Sequence, residues 1–137
     1  MGEILTAIMR WVHISSVVTL IGGIVYARFV MIPAAASLAP DARTALDEGA
    51  AKHFRPLVFV AIAGVLLSGI FNYLSKPGHS VLYHALFGVK MLLALHVFSV
   101  AILATAPHNP RRARQLFGAA ISGLAIVLIA AYLKGIA

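Results

Sequence analysis

Three ionisable side chains lie where a chain this apolar should not readily tolerate them. His13 falls in the first long apolar run, and Lys90 and His96 fall in the third. On insertion scales a Lys, Arg or Asp at the centre of a membrane helix costs about 2.5–3.5 kcal/mol, so such groups are functional candidates by default. Imidazole can stay neutral in an apolar medium, which makes a buried histidine cheaper than a buried lysine. Neutral imidazole is also the commonest metal ligand, so His13 and His96 together point to a metal ion or a haem iron held between helices. The plainer alternative for each ring is an interhelical hydrogen bond. Lys90 would ligate, snorkel outward, or pair with an anionic group such as a haem propionate.

The chain has no cysteine. That excludes thiolate metal sites, iron–sulfur clusters and covalently attached haem, whose motif needs C-x-x-C-H. Any haem is therefore bound without a covalent link, as b-type haem is. Copper is the competing cofactor, because imidazole and thioether both suit it. Met9 precedes His13 by four residues and Met91 precedes His96 by five. A ligating imidazole needs a partner on its other nitrogen to fix the ring, and Ser16, Thr19 or a freed backbone carbonyl would serve His13. His53, Arg28 and Arg55 form a basic cluster suited to clamping haem propionates or a lipid head group, or simply to anchoring helix ends. His79 and His84 flank the start of the third run, where solvated histidines are the ordinary case. No carboxylate lies inside an apolar run to orient a Ser–His pair, and no phosphate loop or nucleotide fingerprint is present.

These residues sit on four apolar runs: Leu5–Ala36, Pro56–Leu74, Val81–Ala104 and Leu116–Leu133. A helix needs about 20 residues to cross the hydrocarbon core. Backbone polar groups in lipid must pair within the segment or in a closed barrel, and barrel strands alternate polar with apolar. These runs do not alternate. The pattern predicts an all-α fold, an integral membrane four-helix up-down bundle. It forms a single domain over residues 1–137, with helices at about 5–33, 56–75, 81–105 and 115–134. The first run exceeds the 7–15 residues of a signal-peptide core and is expected to stay in place as a spanning helix. Pro40-Asp41 suits the start of a short interfacial helix, and Ser75-Lys76-Pro77-Gly78 reads as a turn. In an up-down bundle His13 and His96 lie on parallel helices, offset in depth by about 9–12 Å at 1.5 Å per residue, which is wide for two ligands of one iron.

Cations collect at one end of the runs. Arg28, Arg43, Lys52, Arg55, Arg111, Arg112 and Arg114 share one side, against Arg10, Lys76 and Lys134 on the other. The positive-inside rule then puts the first and third loops in the cytoplasm and both termini outside. Cations in these positions meet lipid head groups, so the net charge of +7 gives no expectation of nucleic-acid binding. Small residues at Ser16, Thr19, Gly23 and Ala27, and again at Gly118, Ala119, Ser122 and Gly123, would let helices approach closely or leave a flat gap for a porphyrin.

Trp11-Val12-His13, with Gly22-Gly23, Tyr26 and Arg28, resembles the opening helix of the CopD-like membrane proteins and the related HemJ-type protoporphyrinogen oxidases. His53-Phe54-Arg55-Pro56 followed by Leu67-Ser68-Gly69 resembles their second helix, and Gly88-Val89-Lys90 with Leu92, Leu93 and His96 their third. The resemblance implies a four-helix bundle in a bacterial inner membrane, with His13 and His96 as metal or haem ligands. On the HemJ side it implies haem b and oxidation of a porphyrinogen; on the CopD side it implies copper handling. The leading expectation is a membrane oxidoreductase carrying haem b and exchanging electrons with quinone or a porphyrinogen in the lipid bilayer. A copper-binding or copper-transport protein is the alternative. A third is a cofactor-free accessory subunit, working as a homo-oligomer or with membrane-complex partners.

Overall fold

Long apolar runs that cannot alternate must satisfy their backbone internally, and helices do this. The computed structural model describes residues 2–74 and 81–136, without the side chains of Asn72, Tyr83, Lys134 and Ile136. Four helices account for nearly all of it: α1 (Gly2–Ala35), α2 (Pro40–Leu74), α3 (Val81–Ala104) and α4 (Arg112–Ile136). The chain is an all-α, multi-pass membrane four-helix bundle. The turn expected at Ser75–Gly78, together with Lys76 and His79, lies outside the described residues.

Two features depart from the expected helix plan. The interfacial helix at Pro40 and the second span are one helix, α2, with Pro56 inside it. Pro56 has no N–H to offer the carbonyl four residues back, yet the flanking turns carry the helix through it. α1 widens into a π-helical stretch at Ala27–Met31, where the N–H of Ile32 bonds the carbonyl of Ala27 five residues back. Pro33 follows immediately. A proline in a helix lacks its own donor and crowds the carbonyl four residues earlier, and an added residue in the preceding turn relieves that crowding.

The outward faces are apolar. Leu92 and Leu128 are 69% and 72% exposed, which water would penalise and hydrocarbon does not. The interior is built on small residues, among them Ala61, Ala101, Ala119 and Ala120. Such residues let helices approach closely where lipid removes the hydrophobic drive between them. α1 packs chiefly on α2 and α3 on α4, so the bundle is two hairpins. The hairpins meet mainly through α1 and α4, and α2 and α3 are in slighter contact. Gly64 on α2 lies against Ser16 of α1, where any Cβ would collide with the serine side chain. Gly123 on α4 meets Ile21 of α1, with room for a Cβ only at 3.1 Å.

Candidate functional site

The close approach at Gly64 and Ser16 sets the rotation of α1 against α2 and turns His13 inward. Its Nδ1 lies 3.0 Å from Oγ of Ser68, which is fully buried on α2. Ser68 in turn donates to the carbonyl of Gly64 at 2.5 Å. A serine hydroxyl has one proton and accepts through its lone pairs. With that proton spent on Gly64, Ser68 accepts from His13, so the neutral imidazole carries its proton on Nδ1. Nε2 then presents a lone pair, the state that binds a metal. The partner of His13 is therefore Ser68, and the expected Ser16 is occupied with packing on Gly64.

His13 lines a chamber of about 440 Å3 walled by all four helices. Ligand sites commonly span about 300–1,000 Å3 and are mostly apolar with few polar groups. This chamber follows that pattern. Val17, Val65, Ala94, Phe98 and Ile126 supply apolar walls, and His13, Lys90 and Tyr73 supply the polar groups. Met91 joins them, so the thioether that stands near His96 in the chain belongs to a residue lining the chamber of His13 in the fold. Nζ of Lys90 lies 5.1 Å from the ring centre of Phe87, a cation–π contact. Phe87 stacks on Tyr73 at 4.3 Å, and the Tyr73 hydroxyl bonds Nδ1 of His84 at 2.8 Å. Exposed apolar residues at the rim, including Ile14, Val18 and Ile70, open the chamber sideways to lipid.

The other expected ligand is elsewhere. His96 is exposed and meets Ser122 of α4 at 2.9 Å through Nδ1. It lines a separate groove on the outer face of α3 and α4. His13 and His96 do not share a cavity, so the two rings are not placed as a pair about one iron. His96 instead makes the interhelical hydrogen bond that is the plain alternative for a membrane histidine. Among the described residues no cluster of three His, Cys, Asp or Glu side chains is placed to hold a metal ion.

The basic cluster lies at the opposite end from the chamber. Arg28 stands fifteen residues beyond His13 on α1, about 22 Å at 1.5 Å per residue. Its guanidinium sits 5.6 and 5.5 Å from the rings of Phe29 and Phe117, with Nε buried and unpartnered. Arg55 donates to the carbonyl of Ile102 at 2.9 Å, tying α2 to the end of α3, and lies 5.3 Å from the ring centre of Phe59. His53 is exposed. None of the three reaches the chamber, and a propionate there would find Lys90 instead.

Sequence reasoning missed the staple at this basic end. Arg112, counted among the interfacial cations, is 4% exposed. It donates to the carbonyls of Ala104 and Ala106, pairs with Asp47, and reaches Glu48 at 3.3 Å. Glu48 also accepts the backbone N–H of His108, whose left-handed conformation (φ 55°) aims it there. The available signal was the adjacent Asp47 and Glu48, the chief acidic pair of the chain, on the same side as this arginine. Comparison with known proteins identified no relative: no family model, no curated protein and no solved structure matches the chain.

Proposed function

We propose that the chain is a membrane b-type haem protein with a redox role, in which His13 would hold the iron through Nε2. The observation that carries this reading is the His13–Ser68–Gly64 chain of hydrogen bonds, which leaves the lone pair on Nε2 of a ring that lines an apolar chamber walled by four helices. The chamber's donor set fits the group. Imidazole is an iron ligand, Met91 and Lys90 on α3 are residue types that could also hold the iron, and Lys90 offers the cation that a propionate would need. Bound haem would supply one-electron chemistry, to be exchanged with a quinone or a porphyrinogen. The chain's own part is to hold the imidazole in one tautomer, keep water away with apolar walls, and admit an apolar partner from the side. The resemblance of the first three helices to CopD-like and HemJ-like proteins implies His13 and His96 as ligands, and of the two only His13 lines the chamber.

Copper is the second reading, favoured by the placement of Met91 beside His13 in one chamber. Imidazole with thioether is a set that suits the cuprous ion. A reduced-minus-oxidised absorption spectrum and a metal analysis of the detergent-purified chain separate the two. The haem reading expects a Soret band that is lost in His13→Ala and retained in His96→Ala. Stoichiometric copper without haem absorbance would replace it by the copper reading. Absence of both cofactors would end both.

A further inference from the structure

Independent of the chamber, a groove of about 480 Å3 runs along the outer face of the α3–α4 hairpin. His96 and Val100 line it from α3, and Arg111, Arg114, Gln115 and Gly118 line it from α4 and the residue before it. The spacing makes one stripe on each helix, since residues three, four and seven apart share a face. Two features suit it to a ligand with two chemistries. At the mouth, Arg111 and Arg114 are exposed, and neither is ion-paired among the described residues, because Asp47 and Glu48 are engaged by Arg112. Toward the bilayer, the floor is open: a Cβ built on Gly118 meets nothing within 4 Å, unlike one on Gly64 or Gly123. The contact between His96 and Ser122 closes the deep end, eight residues or about 12 Å from Arg114 along α4.

We infer that this groove binds an anionic phospholipid, its phosphate between Arg111 and Arg114 and one acyl chain laid over Gly118 and Val100 toward His96. Charge complementarity selects the occupant. Two cations at the end of a spanning helix face the head-group layer, and basic pockets between membrane helices bind anionic head groups. A zwitterionic lipid presents the same phosphate with a compensating cation and loses that attraction. The apolar length of the groove distinguishes a lipid from a free anion, which would use the arginines alone. Gln115 is partly committed elsewhere, since its side-chain oxygen accepts from Asn109 at 2.6 Å. The arginines are therefore the main determinants of charge selection.

The test is native mass spectrometry of the full chain in detergent, titrated with phosphatidylglycerol, phosphatidylcholine or inorganic phosphate. Phosphatidylglycerol is expected to be retained in preference to phosphatidylcholine. Arg111→Ala and Arg114→Ala each weaken that retention about fivefold, the effect of removing about 1 kcal/mol per cation near an anionic surface. Gly118→Leu, which fills the groove without changing charge, removes retention of the lipid. Arg43→Ala, an exposed cation outside the groove, leaves it unchanged. Equal retention of the two lipids overturns the inference, as does full retention by Gly118→Leu. Competition by inorganic phosphate at matched concentration would mark a simple anion site. A change of oligomeric state in the arginine variants with lipid retention intact would mark the face as a contact between copies, and either result also overturns it.

Discussion

The proton of a serine hydroxyl can go to only one acceptor, and at Ser68 it goes to Gly64. The role proposed for His13 depends on that choice, because it obliges the imidazole to donate through Nδ1 and leaves the lone pair on Nε2. Ser68→Ala removes the acceptor and frees the tautomer. Cofactor affinity is expected to fall about 10–100-fold, as for other residues that orient a ligating histidine. Helix content should stay unchanged, checked by spectral titration beside circular dichroism, and Ser68→Thr should keep most of the affinity. An unchanged titration in the alanine variant would show that Ser68 does not orient the ligand. Lys90 makes a contrasting case. A lysine in a spanning helix costs about 2.5–3.5 kcal/mol at the centre on insertion scales, and here it gains one cation–π contact. Lys90→Met should raise the unfolding midpoint in detergent, because the chamber loses its charged side chain, while weakening the binding of any ligand with a carboxylate. A variant that loses stability instead would make Lys90 a structural residue.

At the scale of the helices, most of the plan was legible in the chain, because length and lack of alternation leave few structures possible in lipid. Rotation was not legible. His13 and His96 both lie in apolar runs with small residues nearby, yet one faces the chamber and the other an outer groove. The difference arises between helices, where Gly64 admits Ser16 and so sets the angle of α1. Run lengths carry no information about that pairing. The fused α2 was hidden by its polar first half, which reads as a separate short interfacial helix until Arg112 is seen to grip Asp47 and Glu48. The importance of rotation can be measured with two glycines in the same bundle. Gly22→Ala meets nothing within 4 Å and should stabilise by about 0.5–1 kcal/mol, the helix preference of alanine over glycine. Gly64→Ala drives a methyl into Ser16 and should destabilise by about 1–3 kcal/mol, as overpacking does. Unfolding titrations in mixed micelles read both signs, and equal effects at the two positions would contradict the close approach of α1 and α2.

Taken as a whole, the bundle has a fastened end, held by arginine contacts, and a chamber end, where Tyr73 stacks on Phe87 and hydrogen-bonds His84. Arg55 ties α2 to the carbonyl of Ile102, and Arg112 ties the α3–α4 connection to Asp47 and Glu48. Both links join the two hairpins at the basic end. The chamber lies at the far end, where Tyr73 joins α2 to α3 through its stack on Phe87 and its hydrogen bond with His84. From Asp47 to Ser68 is twenty-one residues of one helix, about 31 Å at 1.5 Å per residue. Breaking one partner of a buried ion pair costs about 3–5 kcal/mol, and less where the acids keep solvent. Asp47 and Glu48 are 32% and 26% exposed, so Arg112→Met should lower stability by about 1–3 kcal/mol on that scale. Over the same distance the ligand field at His13 should not change, so the absorption maximum of a bound cofactor stays where it is in the parent protein. Measuring both on one sample tests the separation. A shifted spectrum in Arg112→Met would mean that the fastened end sets the geometry of the chamber, and the two halves of the bundle would then act as one rigid unit.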